Sequence, residues 1–249
     1  SGVLLSHAHV DHSGRLPRLV KLGFRGPIYA TPATIDLCAL LLDDSAYVLH
    51  AQTAILNQRR AAGGKPPLPD LYTAADVAQT LRQMVPVEWD KAVNLGTGLE
   101  ACFHPAGHIL GASSIVVRER TAGAWCNLAF SGDIGQPDDW VLPDPVVPAD
   151  THHVIVESTY GDRTHRPYLF ARGEMARNIS ATLAEGGIVV IPAFSVGRTQ
   201  RLIYELRGLI AEGLLPPTPI YVDSPLSVEA CRRFSNHPAA LRGIPADAR

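Results

Sequence analysis

The chain has 249 residues, 46% of them hydrophobic and 18% charged, which describes a globular protein with a well-filled core. Its length allows one large domain or two modest ones, and a formal net charge of −2 excludes the global basic signature of a nucleic-acid binder. No apolar run reaches the ~18–20 residues that span a bilayer, since the longest, Ile35 to Leu42, is interrupted by Asp36 and stopped by Asp43 and Asp44.

Val3-Leu4-Leu5 is a short apolar run, predicted as a strand, with a polar loop from His7 to Gly14 and a helix from Arg15 to Leu22. Pro27-Ile28-Tyr29-Ala30 predicts a buried strand, followed by a helix from about Pro32 through Leu42. Residues 43–80 are expected to be helical and polar, broken by the loop Gly63-Gly64-Lys65-Pro66-Pro67. Short strands then dominate: Ala92–Leu95, Leu99–His104, Ser113–Val117 and Asn127–Ser131. The Pro-rich stretch Gln136–Pro148 reads as a surface connection, and Val154-Ile155-Val156 as a buried strand ending at Glu157. Helix 172–185, strand Ile188–Pro192, helix 198–211 and strand Ile220–Val222 alternate as parallel α/β units do. There is no internal repeat and no low-complexity segment.

His7-Ala8-His9-Val10-Asp11-His12 packs three imidazoles and a carboxylate into six residues, between an apolar strand and a Ser-Gly turn. Neutral imidazole nitrogens and carboxylate oxygens are the donors that zinc and similar borderline ions accept. On such a loop His7 and His9 can serve one ion while Asp11 and His12 face another. Paired metals activate water at neutral pH. Two later residues suit the same cluster. His108 sits in Pro105-Ala106-Gly107-His108-Ile109-Leu110-Gly111, and Asp133 in Ser131-Gly132-Asp133-Ile134-Gly135. In both, flanking glycines let the backbone approach closely. His104 reads as a packed or supporting histidine. Arg198 follows Gly197 at a predicted helix start, where free N–H groups and the helix dipole favour an anion. No aromatic cluster for base stacking stands out in the 6% aromatic content.

Cys38, Cys102, Cys126 and Cys231 are far apart and form no C-x-x-C pair. This argues against a disulfide framework or a Cys-based zinc ribbon and for reduced thiols in a cytoplasmic protein. No basic-then-apolar secretory signal opens the chain, although it starts at Ser1. Charge is uneven. Residues 1–150 hold 11 basic against 15 acidic side chains, residues 151–249 hold 11 against 9, and every basic residue in the second stretch is Arg. Arginine is the side chain best matched to phosphate oxygens.

His7–His12, Gly107-His108, Ser131-Gly132-Asp133 and Glu157-Ser158-Thr159-Tyr160-Gly161 together resemble the metallo-β-lactamase superfamily. More narrowly, they resemble its β-CASP branch of RNA- and DNA-processing nucleases. Pro192 to Gln200 and Tyr221 to Leu226 are similar to segments of that branch's inserted cap domain. The resemblance implies an α/β protein: a four-layer αββα domain over residues 1–163 and a Rossmann-like cap over 164–249, both incomplete. It implies two Zn²⁺ ions (or Mn²⁺), the first taking His7, His9, His108 and Asp133. The second would take Asp11, His12, the shared Asp133 and a histidine beyond the cap. Glu157 matches the acidic residue that orients a further late histidine, which protonates the leaving oxygen. Ser195 and Arg198 would contact substrate.

The chain departs from the family in lacking the opening strands and aspartate and both late histidines. His237, in Asn236-His237-Pro238, matches neither histidine motif, and the sequence reads as a fragment. The implied function is a metal-dependent ribonuclease, endo- or 5′-exonucleolytic, acting on single-stranded RNA away from any membrane, with homodimer formation left open. Competing readings are a hydrolase of DNA, thioesters, esters or lactams on the same site, and a non-catalytic RNA-binding partner subunit.

Overall fold

The structure is a computed structural model, and it describes residues 1–121, 123–164 and 166–242. Two sheets organise the first part of the chain. Strands β1 (Val3–Leu4), β2 (Ile28–Ala30) and β3 (Met84–Pro86) form a parallel sheet in that order. Strands β4 (Ala92–Gly96), β5 (Leu99–Pro105), β6 (Ser113–Thr121), β7 (Ala124–Phe130) and β8 (His153–Ile155) form a second sheet, antiparallel except for the last pair.

The connections follow from the topology. Parallel neighbours need crossovers, and helices supply them. Short α1 (Val10–Ser13) and α2 (Leu16–Lys21) join β1 to β2, while α3 (Pro32–Ala62) and α4 (Ala74–Arg82) join β2 to β3. Helix α3 starts cleanly because Thr31 caps it, its hydroxyl oxygen accepting from Thr34 N, with Pro32 at the first helical position. It runs unbroken to Ala62, joining the helix expected to Leu42 with the helical stretch expected beyond it, and ends at Gly63.

Apolar side chains sort into layers. Leu37, Cys38, Leu41 and Leu42 of α3 pack with Ile28, Ala30 and Val77 in the main core. On the other side of the parallel sheet, Leu4 and Tyr29 meet Ala101, Phe103, Ile115 and Val117 of the second sheet. The layer order is therefore helix, sheet, sheet, as in an αββα sandwich. Among the described residues no helix is long and apolar enough to cross a membrane.

The second part of the chain differs from expectation. Helices α5 (Tyr168–Ala184), α6 (Arg198–Ala211) and α7 (Pro225–Asn236) form, but Ile188–Pro192 and Ile220–Val222 pair with no strand among the described residues. Their apolar side chains lie open, Ile188 at 86% and Tyr221 at 87% exposure. Apolar β-branched runs need a hydrogen-bonded neighbour to become strands, and none lies beside these. The expected Rossmann-like sheet is thus represented by its helices alone. Strand β8 forms where the sequence suggests one and pairs with β7, yet Val154, Ile155 and Val156 are exposed rather than buried. Helices α5 and α6 share a small core of Ala176, Ile179, Leu209 and Leu215, whereas Ala230 and Phe234 of α7 join the main core.

Candidate metal centre

The His tract sits where β1 ends. Leu5 N donates to Tyr29 O and Ser113 N to Ser6 O, so both sheets fix the backbone immediately before His7. Beyond the tract, Ser13 Oγ donates to the carbonyls of Ala8 (2.8 Å) and His9 (3.1 Å), folding the loop into the short α1. Gly14 follows by necessity: a Cβ there would lie 2.5 Å from Val10 O.

Four side chains converge. One ligand atom each from His7, His9, His108 and Asp133 lie within 4.8 Å of one another. Asp133 Oδ2 is 3.3 Å from His108 Nε2 and 3.7 Å from His7 Nε2, and His108 Nε2 is 3.1 Å from His9 Nδ1. His7 is fully buried, and its Nδ1 is hydrogen-bonded to Ser6 Oγ (3.1 Å). Its Nε2 has no hydrogen-bond partner among the described residues. A buried ring nitrogen is costly to leave unpaired, and facing two more imidazoles and a carboxylate it is oriented as a ligand.

Electrostatics keep the cluster receptive to a cation. Burial, reinforced by His12, His108 and His9, pushes the pKa of His7 down to about 2. Burial lowers His9 as well, against Asp11 and Asp133, and burial followed by His9 lowers His108. These rings stay neutral, with lone pairs free, at the pH where a metal must bind.

Residues expected at a second ion are less tightly gathered. His12 Nε2 lies 3.3 Å from Asp133 Oδ1, on the opposite oxygen from His7 and His108, and 3.5 Å from Asp11 Oδ2. The Asp11 side chain is 76% exposed and stands outside the four-residue cluster. Glu157 accepts from Ile134 N (3.0 Å) through one carboxylate oxygen and from Thr159 N (3.1 Å) through the other. Those Thr159 and Ile134 contacts hold its carboxyl below the usual range. The Ile134 contact pins the residue next to Asp133. His104 is hydrogen-bonded to Asp90 at 2.6 Å and is not one of the four converging residues.

Ser195 and Arg198 flank a turn that reaches the cluster through residues the sequence did not single out. Val196 is buried, and its backbone lies close enough to His9 to oppose the lowering of that ring's pKa by burial. Gly197 has φ +88°, and a Cβ there would press within 2.8 Å of Ile109 Cγ2, next to His108. Gln200 organises this turn, accepting from Gly197 N (2.8 Å) and donating to Ser195 O (3.1 Å). Ser195 Oγ is 3.4 Å from Ser224 Oγ, and Arg198 is exposed at the first position of α6. The glycine before a helix was the available signal for this turn. Its contact with His9 joins positions 187 residues apart and left no local mark.

No family model matches the chain. Ribonuclease TTHA0252 of Thermus thermophilus is 38% identical over 241 residues, covering 96% of this chain and 49% of that protein. Transcription termination factor FttA of Methanosarcina mazei is 34% identical over 243 residues, covering 96% of this chain and 35% of that protein. These relatives support the metallo-β-lactamase superfamily and its β-CASP branch as the family the chain resembles. The chain spans about half the length of the bacterial relative and about a third of the archaeal one. Among solved structures, the soil-metagenome subclass B3 metallo-β-lactamase MEM-A1 is 20% identical, with a TM-score of 0.30 over 52% of this chain and 40% of that one.

Proposed function

We propose that this chain belongs to a zinc-dependent β-CASP ribonuclease that hydrolyses phosphodiesters in single-stranded RNA. The observation that carries the reading is the convergent His7–His9–His108–Asp133 cluster, whose buried His7 Nε2 has no hydrogen-bond partner among the described residues. The bacterial relative is named a ribonuclease, which supports RNA as the substrate. His7, His9, His108 and Asp133 would hold one Zn²⁺, and His12, Asp11 and the second oxygen of Asp133 a further ion. When bound, such ions polarise a phosphoryl oxygen and lower the pKa of water.

The chain's own residues prepare this chemistry. Histidines whose pKa burial lowers avoid competition from protons, and Asp133 supplies negative charge toward both positions. Glu157 fixes the backbone beside Asp133 and remains an anion able to orient a proton donor. The Ser195–Arg198 turn would meet the phosphate backbone, with the exposed Arg198 guanidinium as its cation. Residues 1–163 would form the catalytic domain and 164–249 the cap, in a cytoplasmic protein acting on RNA.

The test compares labelled single-stranded RNA, DNA of the same sequence, and a thioester and lactam panel, with and without chelator. RNA cleavage that chelator abolishes and Asp133→Ala removes is the expected result. Preferential hydrolysis of thioester or lactam, or tight RNA binding with no cleavage, would overturn it.

A further inference from the structure

The connection that begins at Asp133 leads to a second concave surface. A cleft of about 430 Å³ opens where residues 138–140 face α5, α6 and Arg242, lined by Asp138, Trp140, Tyr168, Leu169, Tyr204 and Arg242. The Trp140 and Tyr168 rings stand 6.3 Å apart between centroids and 38° out of parallel. Both are substantially exposed, at 47% and 41%. The 136–148 connection, expected at the surface, instead buries Asp139, Val141 and Leu142, yet its indole is left half in water.

The residues on either side of it are nevertheless anchored. The neighbouring Asp139 is buried, its carboxylate accepting from Val141 N (2.7 Å) and Leu142 N (2.9 Å) and paired with Arg201 of α6 (2.8 Å). Tyr168 is tethered at its hydroxyl, which donates to Glu205, a carboxylate that also takes Arg172 at 3.1 Å. Both rings stay substantially exposed, while the Tyr168 hydroxyl and the backbone after Trp140 are fixed. At the rim, Arg242 is held by Asp144 (2.9 Å) and by the Asp139 carbonyl (3.0 Å), with the Asp138 carboxylate 3.8 Å away. The cleft thus offers aromatic faces inside and both a donor and an acceptor at its edge.

We propose that this cleft stacks an unpaired nucleobase of the RNA strand cleaved at the metal cluster, an inference that rests on the ribonuclease reading. Aromatic faces are the sequence-tolerant grip on single strands, because every base has a π-face, and rim donors and acceptors suit base edges. A purely apolar ligand would leave the Asp138–Arg242 rim desolvated to no advantage. The position fits the same strand. Gly135 N donates to Ala106 O (2.8 Å), anchoring the connection beside His108. From Asp133 the seven residues to Trp140 reach about 25 Å at most. The cleft is therefore within a few nucleotides of the cluster.

The experiment measures binding of a fluorescein-labelled ten-nucleotide RNA, and of a series carrying one abasic position each, with chelator present to stop turnover. Wild type should lose about ten-fold in affinity for one member of the abasic series, the scale of a single base–aromatic stack. Trp140→Ala should lose about as much on the intact strand and no longer discriminate that abasic member, while Trp140→Phe recovers most of the affinity. RNA should also quench the emission of Trp140, taken as the difference from Trp140→Phe. Equal affinity of wild type and Trp140→Ala, with chelator-sensitive RNA cleavage intact, would remove the subsite and leave the ribonuclease reading standing. Failure of wild type to bind RNA at all would remove both. Absence of Trp140 quenching at saturating RNA overturns the subsite even if the alanine variant does not fold.

Discussion

Asp133 presents its two carboxylate oxygens to different neighbours: Oδ2 to His7 and His108, Oδ1 to His12. Replacing it with asparagine keeps the shape and removes the charge that a dication needs there. Asp133→Asn should bind less zinc than wild type by elemental analysis and cleave RNA at background rate; full zinc content with full activity would exclude the ligand role. Glu157 asks a different question, since its carboxylate accepts from two backbone N–H groups. Glu157→Gln turns one acceptor into a donor facing a donor. We expect near-normal zinc but RNA turnover down by about 10²-fold, the range lost with a proton-transfer partner. Zinc loss in step with activity would place Glu157 among the ligands instead. His7 makes a prediction about acid. Its folded pKa lies near 2, well below its unfolded value of 6.5, so below pH 6.5 the unfolded chain binds more protons. The stabilising effect of neutral His7 is fully present above that pH and is lost as pH falls toward 2. Each proton of difference is worth about 1.4 kcal/mol per pH unit. With chelator present, Tm should fall steadily from pH 7 to pH 5, and more steeply than in His7→Gln; equal slopes would refute the burial argument.

At the scale of elements, the loops are held by close backbone approaches that glycine alone permits. A Cβ on Gly135 would sit 1.7 Å from Gly107 O, so the two glycine loops carrying Asp133 and His108 lie directly on each other. Gly135→Ala must separate them. Overpacking of this kind costs about 1–3 kcal/mol, or about 4–8 °C in Tm at the middle of that range. Zinc content should fall with it. Gly173 inside α5 is the contrast: an added Cβ meets only the flexible end of Arg177, at 3.5 Å, so Gly173→Ala should leave Tm unchanged or raised. An unshifted Tm for Gly135→Ala would show that the loops yield more easily than their contact implies. The same loops explain what the sequence disclosed. The ligand types cluster in His7–His12, and the glycines around His108 and Asp133 advertise close approach, so the four converging residues were legible. The strands from Ala92 to Phe130 were legible too, because their neighbours follow one another in the chain. Ile188–Pro192 and Ile220–Val222 carry the composition of strands, but pairing is a property of neighbours, which composition does not contain. Trp140 and Tyr168 escaped notice for a related reason. They belong to no common period or motif, and only the packing of the 136–148 connection against α5 and α6 unites them.

For the whole molecule, the coupling between its two parts runs through α7. This helix packs on α3, and Asp36 of α3 receives both Arg233 and His237, the latter at 3.0 Å. His237, which matched no histidine motif, thus has a partner 201 residues away rather than a place in the metal cluster. On its other side α7 touches Gln200, whose amide nitrogen lies 3.4 Å from both Ser227 O and Cys231 Sγ. The same Gln200 shapes the Ser195–Gly197 turn, and that turn sets the Val196 backbone close to His9. A continuous set of contacts therefore runs from Asp36 to a metal-cluster histidine. Asp36 is partly solvated, so each ion pair alone is worth little, but one carboxylate serving two cations loses both at once when removed. Asp36→Ala should cost about 1–2 kcal/mol overall. Its local signature is sharper: hydrogen exchange should quicken in α7 and in the 194–200 turn while the strands from 99 to 130 stay protected. Zinc affinity should weaken several-fold, because His9 loses a restrained neighbour rather than a ligand. Arg233→Ala alone should produce part of the effect and add little on top of Asp36→Ala, since the two share one interaction. Uniform loss of protection across both sheets would mean that Asp36 supports the fold generally. Quickened exchange in α7 with unaltered zinc affinity would break the chain of contacts at Gln200.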